Sequence, residues 1–205
     1  MSDGAITTIS GGLVGFLAAV FAEPVRRAIY RPKLRLEFRD DPECRSLTPA
    51  IVPSRSESGQ TVQSLQEAYY VRIKVTNTKA EVAKYCRAYL VAVEKAEEED
   101  KFEPTTYCDS LPLPWACRAD AYAPADLPQD VPHFVDVLSA NSLSPEFEPK
   151  VQLVPLRYVS LFREHGTFRF TVMVSGENVK PVSIRIVFRW DGHWDTFQVS
   201  LGKNG

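Results

Sequence analysis

Val182-Ser183-Ile184-Arg185-Ile186-Val187-Phe188-Arg189-Trp190-Asp191-Gly192-His193-Trp194-Asp195-Thr196-Phe197-Gln198-Val199-Ser200-Leu201 decides the fold. Apolar residues alternate with polar ones on both sides of Asp191-Gly192, a dipeptide that accepts positive φ at both turn positions. A two-residue turn there pairs Trp190 with His193, Phe188 with Asp195, Ile186 with Phe197, Ile184 with Val199 and Val182 with Leu201. The apolar faces then match along most of the hairpin, so turn chemistry and side-chain alternation agree. On the other face this register sets Arg189 across from Trp194 as a cation-π pair worth roughly 0.5–1 kcal/mol.

The same period of two runs through the body. Leu34, Leu36 and Phe38 alternate with Lys33, Arg35, Glu37 and Arg39, and Tyr69, Val71, Ile73 and Val75 alternate with Tyr70, Arg72, Lys74 and Thr76. Cys86–Glu94, Leu111–Arg118, His133–Leu138, Val151–Leu156 and Phe168–Val174 are further strand candidates, about nine in all with the hairpin pair. No sustained helical period follows residue 35, and prolines punctuate the chain. The expectation is an all-β, two-sheet antiparallel sandwich over residues 33–205, in preference to a barrel. Residues 40–67, with Pro42, Pro49, Pro53 and Ser54-Arg55-Ser56-Glu57-Ser58-Gly59, read as a long loop with a short helix near 62–68.

Charge is partitioned sharply. The 205 residues carry a formal −2, yet residues 4–22 form an uncharged run of 19. Residues 23–39 then hold six basic residues against two acidic ones, a net +4, and residues 40–205 sum to −5. At about 1.5 Å per residue, a helix over 4–22 approaches the roughly 30 Å hydrocarbon thickness of a bilayer. A single transmembrane helix is therefore expected over 4–22, followed by a basic juxtamembrane segment over 23–32. The alternatives are a cleaved signal peptide, which lacks its basic leading region here, and an amphipathic or core helix. Arg26, Arg27, Arg31 and Lys33 follow the run and place the body on the cytoplasmic side of the plasma (inner) membrane. Each can add about 1 kcal/mol against anionic headgroups of the lipid bilayer. Gly11, Gly15 and Ala19 recur every fourth residue, the spacing that lets two membrane helices approach closely, so a homo-oligomer through this face is expected.

The body offers no recognisable catalytic signature. There is no nucleophile elbow, His-Glu-x-x-His segment, Gly-rich phosphate loop or Cys-x-x-Cys pair. Cys44, Cys86, Cys108 and Cys117 are expected to stay reduced on the cytoplasmic side, with Cys86 a small core residue. Asp191, His193 and Asp195 are three potential metal ligands in five residues, but turn and strand-end positions carry polar groups anyway. Glu97-Glu98-Glu99-Asp100 reads as a solvated hairpin tip. Trp115, set between prolines, either plugs one end of a sandwich or joins Trp194 and His193 as a partner surface. The acidic body argues against nucleic acid. No enzyme activity and no cofactor are expected, and the partner is an unknown protein or small ligand.

Tyr70-Val71-Arg72-Ile73-Lys74-Val75-Thr76-Asn77-Thr78, followed by Ala83 and Cys86-Arg87-Ala88-Tyr89-Leu90, resembles the strand, Val-Thr-Asn turn and small-residue strand of immunoglobulin-like β-sandwich modules. The likeness covers about 20 residues and lacks the Gly after the turn and the inter-sheet disulfide pattern. Asn178, Pro181 and the segment from Trp190 to Asp195 look like the end of membrane-anchored bacterial proteins with one such domain. The resemblance implies a fold and no activity. The anchor-plus-sandwich plan is also similar to membrane-acting effectors of bacterial antiphage defence, which implies a sensor-effector as a second reading. An enzyme with a loop-borne site is the third.

Overall fold

The computed structural model describes residues 30–55, 61–98, 101–142 and 146–202, with the backbone alone at 50–55 and 61–66. The expected transmembrane helix over 4–22, Arg26, Arg27 and the Gly11, Gly15 and Ala19 face lie outside the described residues. Among those described, no helix is long and apolar enough to cross a membrane.

Two antiparallel sheets form the body. The smaller sheet holds β1 (Leu34–Glu37), β2 (Arg45–Arg55), β3 (Thr61–Asn77), β8 (His133–Asn141) and β9 (Phe147–Pro149). β1 and β2 lie end to end along one edge of β3, while β8 takes the other edge. The chain turns between β1 and β2 at Asp41, whose Oδ1 accepts the N–H groups of Glu43 and Cys44. The larger sheet runs β12 (Gln198–Leu201), β11 (Val182–Trp190), β10 (Gly166–Ser175) and β4 (Ala83–Glu98). The far edge of β4 is shared by three short strands, β5 (Lys101–Pro104), β6 (Leu111–Leu113) and β7 (Ala125–Leu127).

Alternation explains the core. Val71, Ile73 and Val75 of β3 and Val135 and Val137 of β8 are buried with Phe168, Phe170, Val172 and Val174 of β10 and Ile184, Ile186 and Phe188 of β11. Cys86 is fully buried in the same core, and its thiol is pushed up to about 11 by burial. All four cysteines are free; Cys44 is buried, whereas Cys108 and Cys117 are exposed.

Three expectations are corrected. Residues 45–55 and 61–68, expected as loop and short helix, are strands paired with each other from Arg45↔Val71 to Arg55↔Thr61. Pro49 and Pro53 are tolerated because β2 is an edge strand, so a missing N–H can face away from the ladder. Val151–Leu156 is not a strand; it runs into 3₁₀ turns at Leu156–Tyr158 and Leu161–Arg163, and Leu153 and Leu156 stand exposed. The last hairpin forms, but Ile186 pairs with Leu201 and Phe188 with Val199, four residues away from the expected register.

The slip has a local cause. Asp191 Oδ1 accepts the His193 N–H at 3.1 Å and Oδ2 accepts the Thr196 hydroxyl at 2.8 Å, which winds residues 191–196 into a wider loop. Phe197 then drops into the core beside Phe188, with ring centroids 5.3 Å apart. Because four is even, every β12 residue keeps its expected face. Arg189 lies opposite Gln198 in place of Trp194, so the expected cation-π pair gives way to a Trp194–Tyr69 contact at 5.7 Å.

Candidate ligand-binding face

The outward positions of the larger sheet build an open groove of ≈ 1200 Å³. Phe102, Thr167, Arg169, Val187, Arg189 and Gln198 line it, with Asp40, Glu97 and Glu98 among its other residues. Register places the cations: Arg169 is the cross-strand partner of Val187, and Arg185 and Arg189 lie two residues to either side of Val187 on the same face. Three arginines thus surround one valine.

They are not equivalent. Arg169 Nε and Nη2 each donate to the Glu94 carboxylate at 2.6 Å, and its guanidinium lies 4.4 Å from the Phe102 ring centre. That bidentate pair holds the Glu94 carboxyl below its ordinary pKa. Neither Arg185 nor Arg189 forms a salt bridge among the described residues; Arg189 lines the groove, whereas Arg185 lies outside its lining, where its charge also helps to depress the Glu94 carboxyl. Arg189 is therefore the groove cation left without a paired carboxylate, on the same lining as Asp40, Glu97 and Glu98. This arrangement suits a ligand carrying an acidic group, since a guanidinium fork matches a carboxylate or phosphate.

Because the Glu94 carboxyl is depressed in the folded state, its stabilising contribution is present above the unfolded pKa and is lost as pH falls through the folded one. Glu94→Gln is expected to cost about 1–3 kcal/mol at pH 7, leaving Arg169 without its charged partner. It should also flatten the loss of stability on acidification, measured by urea unfolding between about pH 3 and 7. An unchanged acid limb in the variant would contradict the pair's role.

Asp40 links the groove to a stacked cluster between the sheets. It lines the groove and pairs with Arg45 Nη1 at 3.6 Å. The Arg45 guanidinium lies 4.9 Å from the Tyr69 ring centre and 4.5 Å from that of Phe197, and Trp194 packs on Tyr69. Arg45 Nε is buried without a hydrogen-bond partner. Trp194 is half-buried in this cluster, and His193 is exposed in the adjoining loop.

The expected partner surface is only partly assembled. Trp115 is 2% exposed and bridges to Val135 near the start of β8, edge-on to His133, so it is the plug of the sandwich and offers no surface. Tyr69, beside Trp194, pairs with Ala140 at the far end of β8, roughly 20 Å along the strand. Trp115 and Trp194 therefore serve different ends of the fold. Arg31 Nε donates to the Asn178 carbonyl at 3.2 Å, and the Lys33 carbonyl accepts from Thr78, so these two residues also fasten the chain to the sandwich.

Asp191, His193 and Asp195 do not form a metal site: Asp191 is occupied by the loop, and no group of three or more His, Cys, Asp or Glu could hold an ion among the described residues. Sequence reading missed Asp40, Arg45 and Phe102 because the first two fell in the presumed loop and the third beside the acidic tip. Their signal was faint, since each depends on a partner from a distant strand. Compared with protein-family models, curated proteins and solved structures, the chain matches none of them.

Proposed function

We propose that this protein is a single-pass, membrane-anchored binding module whose immunoglobulin-like sandwich holds an acidic partner or ligand in the groove. The carrying observation is Arg189, a cation without a carboxylate partner among the described residues that lines a large open groove, with Arg185 on the same face of β11 just outside the lining. The uncharged run over 4–22 and the basic segment behind it support the anchor and the cytoplasmic placement of the body. Asn77, at the Val-Thr-Asn turn, is buried and supports the immunoglobulin-like reading. The groove lies at the top of β11, seven residues from Val182, so it opens roughly 20 Å from the end that receives the anchor.

The groove is tested by photo-crosslinking in cells. A photoreactive residue at Gln198 should give discrete adducts that fall about tenfold when Arg185 and Arg189 are both changed to Glu, a reversal that replaces attraction by repulsion. Adducts of equal yield in both forms would overturn the groove as the binding site.

A further inference from the structure

The end of the sandwich that receives the chain from residue 29 carries a feature the groove does not explain. Of the eight large apolar side chains exposed among the described residues, four gather there: Tyr30, Val82, Tyr85 and Val131. Hydrogen bonds place them together. Arg31, next to Tyr30, donates to Asn178, whose Nδ2 donates to the Val82 carbonyl; Tyr85 N–H donates to Asp126; Asp130 N–H, beside Val131, donates to the Asn77 carbonyl.

Tyr85 is held outward at a conformational cost. Its φ is 51°, in the left-handed region that a bulky residue avoids, at an irregularity where Ala83 and Cys86 pair with Leu127 and Ala125. The residue is nonetheless 63% exposed. Packing inward would relieve nothing, because Ala83 and Cys86 already fill the core on either side. A strained residue that presents an aromatic ring to the outside points to a surface that uses it.

We infer that this end of the sandwich rests on the bilayer, with Tyr85 and Tyr30 at headgroup level and Val82 and Val131 beside them. The inference rests on the reading of 4–22 as a span. Seven residues lie between Ala22 and Tyr30, and the eight steps that join them, at no more than about 3.5 Å each, tether this end within roughly 28 Å of the membrane. Tyrosine is favoured at that interface. Arg31, Lys33, Lys79, Lys84 and Lys180 are exposed around the patch, against Glu81, Asp126, Asp130 and Glu177. Glu81 is engaged by Asn178 and Asp126 by the Tyr85 N–H, and Arg26 and Arg27 precede the patch in the chain. An anionic leaflet is the matching partner. Docking would also orient the groove away from the membrane.

The test uses the full chain in nanodiscs of bromine-labelled phosphatidylcholine with about one-third phosphatidylglycerol, a composition that supplies the anionic surface. Val82→Trp adds a reporter at this end; Glu97→Trp adds one 14 residues along β4 from Ala83, roughly 45 Å away. The added Val82→Trp emission should be quenched at least about threefold more than the Glu97→Trp emission, as contact with the bilayer demands. Lys79→Glu with Lys84→Glu should reduce that quenching by about half, with the chain still held in the disc. Equal quenching at both positions in chain-loaded discs would overturn docking and leave the anchor standing. A chain that does not enter the discs would overturn the anchor, and docking with it.

Discussion

Phe147→Ala is expected to destabilise the domain by about 3–5 kcal/mol, a large share of the roughly 5–15 kcal/mol that holds an ordinary domain. Phe147 sits on the three-residue strand β9, yet it is 2% exposed and touches more aromatic rings than any other described side chain. Its ring centre lies 4.9 Å from Phe188, 5.4 Å from Phe168, 5.7 Å from Trp190, 5.8 Å from Phe162 and 6.1 Å from Phe170. Most of these contacts are edge-on or tilted, the geometry that adds to simple area burial. Alanine would open a cavity walled by rigid rings, which cannot collapse as flexible aliphatic chains do. Leucine should cost less, about 1–2 kcal/mol, because it keeps most of the apolar volume. Unfolding of the full chain in mild detergent, followed by tryptophan fluorescence against urea, would measure both. An alanine variant within about 1 kcal/mol of the parent would show that β9 does not close the core.

Asn77→Ala should be nearly as damaging, at about 2–4 kcal/mol, for a polar reason. Asn77 is fully buried at the end of β3. Its Nδ2 donates to the Glu81 carbonyl at 2.7 Å and the Leu127 carbonyl at 3.1 Å, and its Oδ1 accepts the Lys79 N–H at 3.1 Å. One side chain thus ties the turn after β3 to β7 of the other sheet. Alanine removes all three bonds and leaves buried backbone groups short of partners. Asn77→Asp separates charge from shape: it keeps an acceptor for Lys79 but sets a carboxylate oxygen against two carbonyls. Burial there would raise the aspartate pKa, so this variant should be less stable at pH 7 than at pH 5. Thermal unfolding at the two pH values would show it, and a variant equally stable at both would contradict the buried environment.

Both residues bear on how much the sequence disclosed. Alternation in Tyr69–Val75, Phe168–Val174 and Val182–Trp190 was sufficient to assign strands and their inner faces, because a half-buried strand must alternate. Turn position was equally legible at Asp191-Gly192, but register was not. The Asp191 carboxylate has backbone and hydroxyl donors within reach on its C-terminal side, and that local network prevailed over the two-residue turn. β2 escaped notice because its pairing to β3 is supplied by a neighbour, and its Pro49 and Pro53 resemble loop residues until an edge position is known. Val151–Leu156 misled in the opposite direction. Its apolar residues carry no periodicity that distinguishes a buried strand from an exposed ridge, and Leu156 is 91% exposed.

The groove was the least legible feature. Arg169, Arg185 and Arg189 were visible individually as outward-facing charges, but their convergence on Val187 and the Arg169–Glu94 pair depend on cross-strand register. β4 and β10 shift register between Thr171 and Val172, a displacement no single strand encodes. For Trp115 the sequence favoured a plug over a partner surface, and its contacts with Val135 and His133 agree with the plug.

The central claim, a β-sandwich held on the cytoplasmic face by residues 4–22, is tested most directly by fractionation with protease accessibility in cells producing the full chain. The expected result is a protein that stays with membranes through an alkaline carbonate wash, keeps its N-terminus, and is digested by protease only after the inner membrane is opened. A soluble protein, a processed N-terminus at Glu23, or a body digested from outside intact spheroplasts would contradict it.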